Sequence, residues 1–306
     1  MTRPIVIQTE ELSASAHDWL ASRCDVRVCS VDDPKFASLL SIADALVIRT
    51  YTKVDRALLA QAPKLRVVGR AGVGLENVDV QACAARGVQV LNTPDANSDA
   101  VAEYVFTLLL RHLRPCERVT APTDAPLWKS LRARNVAQRQ VCDLTFGVLG
   151  CGRIGSRVAR IAGAFGARVI FHDLADIPVS ARFGAQPVTR TELARESDVL
   201  SVHVDPRPDN HKLINRDLLG LLKSDAILIN TSRGVIADTL AVRDYLIANP
   251  RAAALLDVHD PEPIGANHPL LGVPNAFLSP HIAAATMRAH ENMSWVVRDV
   301  WDALNG

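Results

Sequence analysis

Three features are scarce in this sequence of 306 residues: an excess of one charge, long apolar runs and aromatic side chains. Lys and Arg number 34 against 33 Asp and Glu, and this balance argues against a nucleic-acid or membrane-surface partner that is held by a basic field. The longest apolar runs, such as 104–110, fall short of the roughly 18 residues that span a bilayer. Aromatic residues make up only 5%, so we expect aliphatic cores.

Paired cysteine motifs and a signal-peptide core are also missing. The six cysteines are scattered without a C-x-x-C pair, as Cys24, Cys29, Cys83, Cys116, Cys142 and Cys151. This pattern argues against a disulfide framework or a zinc site and favours reduced thiols with no metal centre. The N-terminus has no apolar signal core after its single Arg. We therefore expect a cytoplasmic protein.

Short β-branched runs alternate with helix-length segments along nearly the whole chain. The predicted strands cover 5–7, 26–28, 45–48, 65–68, 88–91, 145–149, 169–171, 199–204, 226–229, 255–258 and 276–278. The predicted helices include 55–62, 77–86, 99–116, 153–165, 215–222, 239–248 and a final one over 286–304. This rhythm predicts an α/β protein with doubly wound parallel sheets, and the length is typical of two domains.

Residues 120–142 interrupt that rhythm. The segment is flanked by proline, lacks an apolar period and is basic at Lys129, Arg132, Arg134 and Arg139. A solvated linker or arm is the favoured interpretation, and an anion site is the alternative.

A glycine-rich turn follows the predicted strand 145–149. Gly150 permits a tight turn, Gly152 presents no side chain to a pyrophosphate, and Gly155 lets the next helix lie close to the strand. The motif G-x-G-x-x-G alone is weak, but a strand before it and a helix after it provide the context that dinucleotide binding requires. The free N–H groups at the start of that helix suit phosphate oxygens.

Asp173 ends the next strand, where a carboxylate accepts both hydroxyls of the adenosine ribose and repels a 2′-phosphate. This position favours NAD over NADP as the cofactor. A methyltransferase with a similar glycine loop is the main alternative, but it gives no reason for the charged residues further along the chain.

Three later strands each end in a charged or titratable residue: Arg233, Glu262 and His281. Because the carboxyl ends of neighbouring parallel strands meet at one edge of a sheet, we expect these side chains to converge on the cofactor crevice. Arg offers a planar fork for a carboxylate, His exchanges a proton near neutral pH, and a carboxylate beside a histidine favours the imidazolium. The set suits hydride transfer to a 2-keto acid. Each residue taken singly has an ordinary surface or loop interpretation.

The sequence resembles the D-isomer specific 2-hydroxyacid dehydrogenase family, most of all its D-3-phosphoglycerate dehydrogenase members. The stretches that carry the resemblance are GRAGVGLENVD, LNTPDANSDAVAEYVF, GVLGCGRIG, LINTSRG, LDVHDPEP, SPHIAA and ENMSWVVRDVW. The resemblance implies two Rossmann-like domains: a discontinuous catalytic domain of residues 1–95 with 282–306, and an NAD-binding domain of residues 96–281. It also implies a substrate cleft between them and a homodimer formed through residues 96–142. One departure is His203–Pro208, which replaces the family's usual HxPLTP.

The resemblance also implies roles for individual residues. Arg233 corresponds to the substrate-binding arginine, His281 to the acid/base, and Glu262 to its carboxylate partner. The cofactor contacts implied are Gly150, Gly152, Arg153, Ile154, Gly155, Asp173, Thr231, Ser232, Asp257, Ala283 and Ala284. Asp257 is the acid that holds the nicotinamide carboxamide. The substrate contacts implied are Val73 and Gly74, whose loop N–H groups hold the substrate carboxylate, with Asn97 nearby.

The identity of the 2-hydroxy acid depends on Arg49, which resembles the arginine that meets the substrate phosphate in phosphoglycerate dehydrogenases. The expected substrate pair is 3-phosphoglycerate and phosphohydroxypyruvate, with Arg49 binding the phosphate; a strand-end surface arginine is the equal alternative for this residue. Without a phosphate contact, the chain is expected to be a hydroxypyruvate or glyoxylate reductase. An NAD(H)-sensing binding protein similar to the related transcriptional corepressors is the competing class.

Overall fold

The computed structural model describes residues 3–114 and 116–306, and the chain divides into two compact units. Unit 1 contains the chain up to Asn97 together with Ala284–Gly306, and unit 2 contains Ser98–Ala283. The boundaries expected from the sequence, 95/96 and 281/282, each fall two residues before the observed ones.

Unit 1 is built on a parallel sheet in the order β2-β1-β3-β4-β5. Its strands are β1 (Ile5–Gln8), β2 (Asp25–Val28), β3 (Ala45–Ile48), β4 (Val67–Arg70) and β5 (Gln89–Asn92). Its helices are α1 (Ala14–Ala21), α2 (Phe36–Leu40), α3 (Arg56–Ala60), α4 (Val80–Ala85), α12 (Met287–Ser294) and α13 (Val296–Asn305). The single helix predicted over 286–304 is thus two helices, which meet at Trp295.

Unit 2 is built on a second parallel sheet in the order β12-β11-β10-β9-β6-β7-β8. Its strands are β6 (Thr145–Leu149), β7 (Arg168–His172), β8 (Gln186–Pro187), β9 (Val199–Val202), β10 (Ile227–Asn230), β11 (Ala253–Leu256) and β12 (Ala276–Leu278). Its α-helices are α5 (Ser98–Leu113), α6 (Ala125–Arg134), α7 (Arg153–Ala164), α8 (Val179–Arg182), α9 (Arg190–Glu196), α10 (Arg216–Leu219) and α11 (Thr239–Ala248).

The cores are mainly aliphatic, as the low aromatic content predicts, although Phe106 and Phe146 stack in the core of unit 2. The central strands β3, β9, β10 and β11 are buried along their whole length, which explains why they appear in the sequence as continuous apolar runs. The two-sheet α/β architecture predicted from the alternation is confirmed.

The segment 120–142 contains a helix that the sequence did not indicate. Helix α6 begins after Asp124, whose carboxylate caps the N–H of Leu127 at 2.8 Å, and it has Pro126 in its first turn. None of its residues is buried. The apolar period that marks a packed helix is therefore missing, which is why the sequence indicates only a solvated linker or arm here.

Candidate active site

The glycine turn connects β6 to α7. Gly150 has φ +89°, which side chains rarely adopt, and a Cβ on Gly155 would stand 2.0 Å from the carbonyl oxygen of Gly150. A Cβ on Gly152 would meet no atom within 4 Å. Arg153 begins α7, and half-buried Ile154 anchors its first turn on the core. The turn thus leaves open space in front of a helix N-terminus, as a bound pyrophosphate requires.

Asp173 directly follows β7 and holds the glycine turn in place. Its Oδ2 accepts the N–H of Cys151 at 2.7 Å, and its Oδ1 accepts the N–H of Ala175 at 2.9 Å. Each carboxylate oxygen has a second lone-pair site that remains suited to a ribose hydroxyl. Together with the open glycine turn, this carboxylate fits the adenosine half of NAD.

Arg233 lies in a turn after β10 that is held by a buried amide. Asn230 is 1% exposed; its Nδ2 donates to the carbonyl of Arg233 at 3.0 Å, and its Oδ1 accepts the N–H of Ser232 at 3.0 Å and its hydroxyl at 3.1 Å. A Cβ on Gly234 would stand 2.0 Å from the carbonyl carbon of His259. The turn that carries Arg233 is therefore pressed against the segment after β11.

Thr231 and Ser232, the predicted nicotinamide contacts, belong to the same turn. The Oγ1 of Thr231 is buried, and among the described residues it has no hydrogen-bond partner. An orphaned buried hydroxyl is costly unless a ligand satisfies it, so this atom also fits a bound cofactor.

Asp257 is fully buried after β11, and its carboxylate holds the next segment. Its Oδ1 accepts the hydroxyl of Ser279 at 2.6 Å and the N–H of Ile282 at 3.0 Å, and its Oδ2 accepts the N–H of Ala283 at 2.7 Å. Three of its acceptor sites are thus used within the chain, a positioning role that the sequence did not predict. Ala283 and Ala284, both predicted cofactor contacts, lie on either side of the boundary between the units.

Glu262 and His281 form a direct pair. The Oε2 of Glu262 lies 2.7 Å from Nδ1 of His281, and its Oε1 accepts the N–H of His259 at 2.7 Å. Burial works to raise the pKa of Glu262, but these two hydrogen bonds outweigh it and hold that pKa below its usual range. Glu262 is therefore a carboxylate at neutral pH. The side chain of His281 is 46% exposed, so it is accessible to a substrate.

His281 has φ +56°, a left-handed conformation that costs energy outside glycine and clusters at functional sites. Its N–H donates to the carbonyl of Asp257 at 2.8 Å, which helps to hold the backbone there.

His259 contacts Glu262 and the segment that leads to His281, although no role is predicted for it from the sequence. Its backbone N–H holds Glu262, and its Nε2 lies 2.8 Å from the carbonyl oxygen of Ser279, two residues before His281. His268 packs edge-on against its ring, with a centroid distance of 5.7 Å. The sequence places His259 between Asp257 and Glu262, which could have marked it as part of the site. This position does not reveal which atoms the histidine contacts.

The predicted substrate residues lie in unit 1. Arg49 follows β3, and Val73 and Gly74 follow β4, so both loops stand at the carboxyl ends of adjacent strands. The carbonyl of Val73 accepts the side-chain amide of Asn92 at 2.7 Å. Asn97 is the last residue of this unit before α5, and its Oδ1 is buried. Glu10 contacts the Arg49 loop.

No group of three or more His, Cys, Asp or Glu residues is arranged to hold a metal ion across 3–114 and 116–306. In the same residues, no helix has the length and apolar character needed to cross a membrane.

Comparisons with known proteins agree on one family. The model of the D-isomer specific 2-hydroxyacid dehydrogenase NAD-binding domain matches residues 106–283. A glyoxylate reductase from Aeropyrum pernix is 37% identical over 98% of this chain and 92% of its own length. A D-3-phosphoglycerate dehydrogenase from Mycobacterium leprae is 36% identical over 95% of this chain, which spans only 55% of that relative.

Among solved structures, a D-lactate dehydrogenase from Aquifex aeolicus complexed with NAD and lactic acid has a TM-score of 0.82. Its sequence identity is 25%, and the match covers 99% of this chain and 96% of that one. The chain therefore belongs to the D-isomer specific 2-hydroxyacid dehydrogenase family, as an oxidoreductase that uses NAD.

Proposed function

We propose that this enzyme interconverts a small, D-configured 2-hydroxy acid and its 2-keto acid, with Arg233, Glu262 and His281 as the catalytic residues. The observation that carries the proposal is the 2.7 Å hydrogen bond between Glu262 and His281, on strand ends adjacent to the Arg233 turn. A carboxylate, an imidazole and a guanidinium are the groups that reduction of a 2-keto acid needs.

The roles follow from the atoms that are already engaged. When bound, NADH supplies the hydride for the keto carbon. Because Nδ1 of His281 is hydrogen-bonded to Glu262, the other ring nitrogen, Nε2, exchanges the proton with the substrate. It gives the proton to the keto oxygen in reduction and takes it back in oxidation. The ionised Glu262 stabilises the imidazolium, and Arg233 pairs with the substrate carboxylate. Hydride and proton together balance the conversion of C=O to CH–OH.

Two finer substrate assignments remain in the proposal. Glyoxylate is favoured by the glyoxylate reductase relative, which this chain matches over 92% of that relative's length, and hydroxypyruvate is the alternative predicted with it from the sequence. Phosphohydroxypyruvate, paired with 3-phosphoglycerate, is the second candidate, favoured by the 36% identical dehydrogenase and by the cationic Arg49.

The test is NADH oxidation with glyoxylate, hydroxypyruvate, phosphohydroxypyruvate and pyruvate, beside a direct measurement of the Kd for NADH. We expect turnover of at least one of these keto acids. Protein that binds NADH but reduces none of them would contradict the proposal and would favour an NAD(H)-sensing binding protein.

The homodimer predicted through residues 96–142 is also part of the proposal. A measurement of the protein's mass in solution tests it.

A further inference from the structure

Glu10 fills a nest of backbone N–H groups in unit 1. Its carboxylate accepts the consecutive N–H groups of residues 49–52: Arg49 at 3.0 Å, Thr50 at 2.8 Å, Tyr51 at 3.1 and 3.2 Å and Thr52 at 3.0 Å. Successive N–H groups that converge in this way form an anion-binding concavity, of the kind that elsewhere holds a phosphate. Here the anion is part of the chain.

The surrounding contacts fix this arrangement. Asn77 donates its side-chain amide to the carbonyls of Arg49 at 3.0 Å and Thr52 at 2.7 Å, and the hydroxyls of Thr9 and Thr52 lie 2.6 Å apart. The guanidinium of Arg49 donates to the carbonyl of Glu11 at 3.1 Å. These three sets of contacts hold the 49–52 loop in place around Glu10.

The charge of Glu10 is present at neutral pH. Burial acts to raise its pKa, but the backbone hydrogen bonds of the loop outweigh burial and lower it. A substrate phosphoryl group carries about −1.5 to −2 charge at pH 7. At this loop it would meet the negative charge of Glu10, and the N–H donors of residues 49–52 would already be occupied.

The nest stands beside the predicted substrate loop. Glu10 follows β1, residues 49–52 follow β3, and Val73 and Gly74 follow β4, which are neighbouring strands in the order β1-β3-β4. Ligands of parallel α/β sheets bind at the carboxyl ends of the strands, so a phosphoryl group that reached Arg49 would also reach Glu10.

We infer that Glu10 is a specificity-determining residue that excludes phosphorylated substrates, so that the substrate is an unphosphorylated 2-keto acid such as hydroxypyruvate or glyoxylate. This inference rests on the proposed function, because it selects between its two substrate assignments. The inference does not retain Arg49 as a phosphate contact, because the backbone N–H groups of its loop already bind the carboxylate of Glu10.

The test compares kcat/KM for hydroxypyruvate and phosphohydroxypyruvate in the wild-type enzyme, Glu10→Gln and Glu10→Ala. Glu11→Gln is the matched control, because it removes an adjacent charge that does not fill the nest. We expect the wild-type enzyme to prefer hydroxypyruvate by about tenfold or more, and the ratio to move toward phosphohydroxypyruvate by about tenfold in the Glu10 variants only. Glu10→Gln preserves the side-chain shape should Glu10→Ala fail to fold.

Two results would overturn the inference. One is a wild-type enzyme that reduces phosphohydroxypyruvate as well as hydroxypyruvate; the other is a pair of Glu10 variants that lower both activities equally, as a purely structural residue would. A binding measurement separates this from failure of the proposed function. With NADH saturating, inorganic phosphate should raise the Tm of Glu10→Ala but not of wild type, whether or not either keto acid is reduced. Equal responses would contradict the filled nest.

Discussion

The glycine turn of unit 2 and the 49–52 loop of unit 1 use the same backbone chemistry in opposite ways. Both follow a parallel strand, and both lie at the carboxyl edge of their sheet. In the glycine turn, Asp173 takes the N–H of Cys151, and the space at Gly152 contains no atom within 4 Å. In the 49–52 loop, Glu10 takes all four N–H groups.

This difference separates two functions of an anion. A turn left open binds the anion of a ligand and releases it with that ligand. A turn whose N–H groups bind a side chain of the same chain does not bind the anion of a ligand. The charge of that side chain then disfavours substrates with an anionic group at this place. The sheet of unit 2 thus has an open edge, at the glycine turn, and the sheet of unit 1 has a filled edge, at the 49–52 loop.

The largest effect is expected from His281→Asn at the open edge. Asn tolerates the left-handed backbone at this position and still offers Glu262 a hydrogen bond, but it has no proton to exchange near pH 7. We expect kcat/KM for the keto acid to fall by roughly 10²- to 10⁴-fold. The Kd for NADH should stay near the wild-type value, and fluorescence titration checks this. An activity close to wild type would remove His281 from the mechanism.

Sequence patterns predicted the parts of the site that rest on buried strands. The bounds of β3, β6, β12 and α11 match the predicted ranges to the residue. For β3 and β6 the reason is that strands covered on both faces appear as nearly continuous apolar runs. The glycine turn was likewise readable, since its glycines are required by local geometry.

Contacts between segments far apart in the chain could not be predicted from the sequence. Glu10 acts on N–H groups about 40 residues away, and backbone donors leave no trace in residue type. His259 stands inside a recognised motif, yet its ring contacts the backbone carbonyl of Ser279, 20 residues away, which only the fold brings near. Helix α9 is a different case: it is not among the predicted helices, although its capping box of Thr189 and Glu192 is visible in the sequence.

Gly152→Val tests whether the glycine turn is open for a ligand. No atom lies within 4 Å of the added Cβ, so the fold should survive, but the side chain would occupy the space that suits the pyrophosphate. We expect the Kd for NADH to rise by at least about tenfold with little change in Tm. Gly163→Val, on the exposed face of α7, is the matched control and should leave the Kd unchanged. Equal effects of both variants would show that the helix, not the turn, was disturbed.

A smaller effect is expected from His259→Phe. The ring still packs beside His268, but the hydrogen bond to the carbonyl of Ser279 is lost, while the backbone N–H to Glu262 remains. Loss of one such bond costs about 0.5–1.5 kcal/mol, so kcat should fall about two- to tenfold. The KM should be less affected, and His259→Gln should restore part of the rate by offering a new donor. A uniform loss of Tm and activity in both variants would indicate a structural role alone.

The smallest effect concerns acid stability at the filled edge. Because the pKa of Glu10 is lowered in the folded state, its ionised form stabilises the fold above the ordinary value of 4.5. That contribution disappears as the pH falls through the lowered pKa. Glu10→Gln lacks it, so the Tm advantage of wild type over this variant should be largest near neutral pH and should shrink as the pH falls below 4.5. Thermal unfolding of wild type, Glu10→Gln and Glu11→Gln across this range checks it. A difference between wild type and Glu10→Gln that stays constant with pH would mean that the loop needs the shape of Glu10 and not its charge, and the contrast between an open turn and a charge-filled one would then fail.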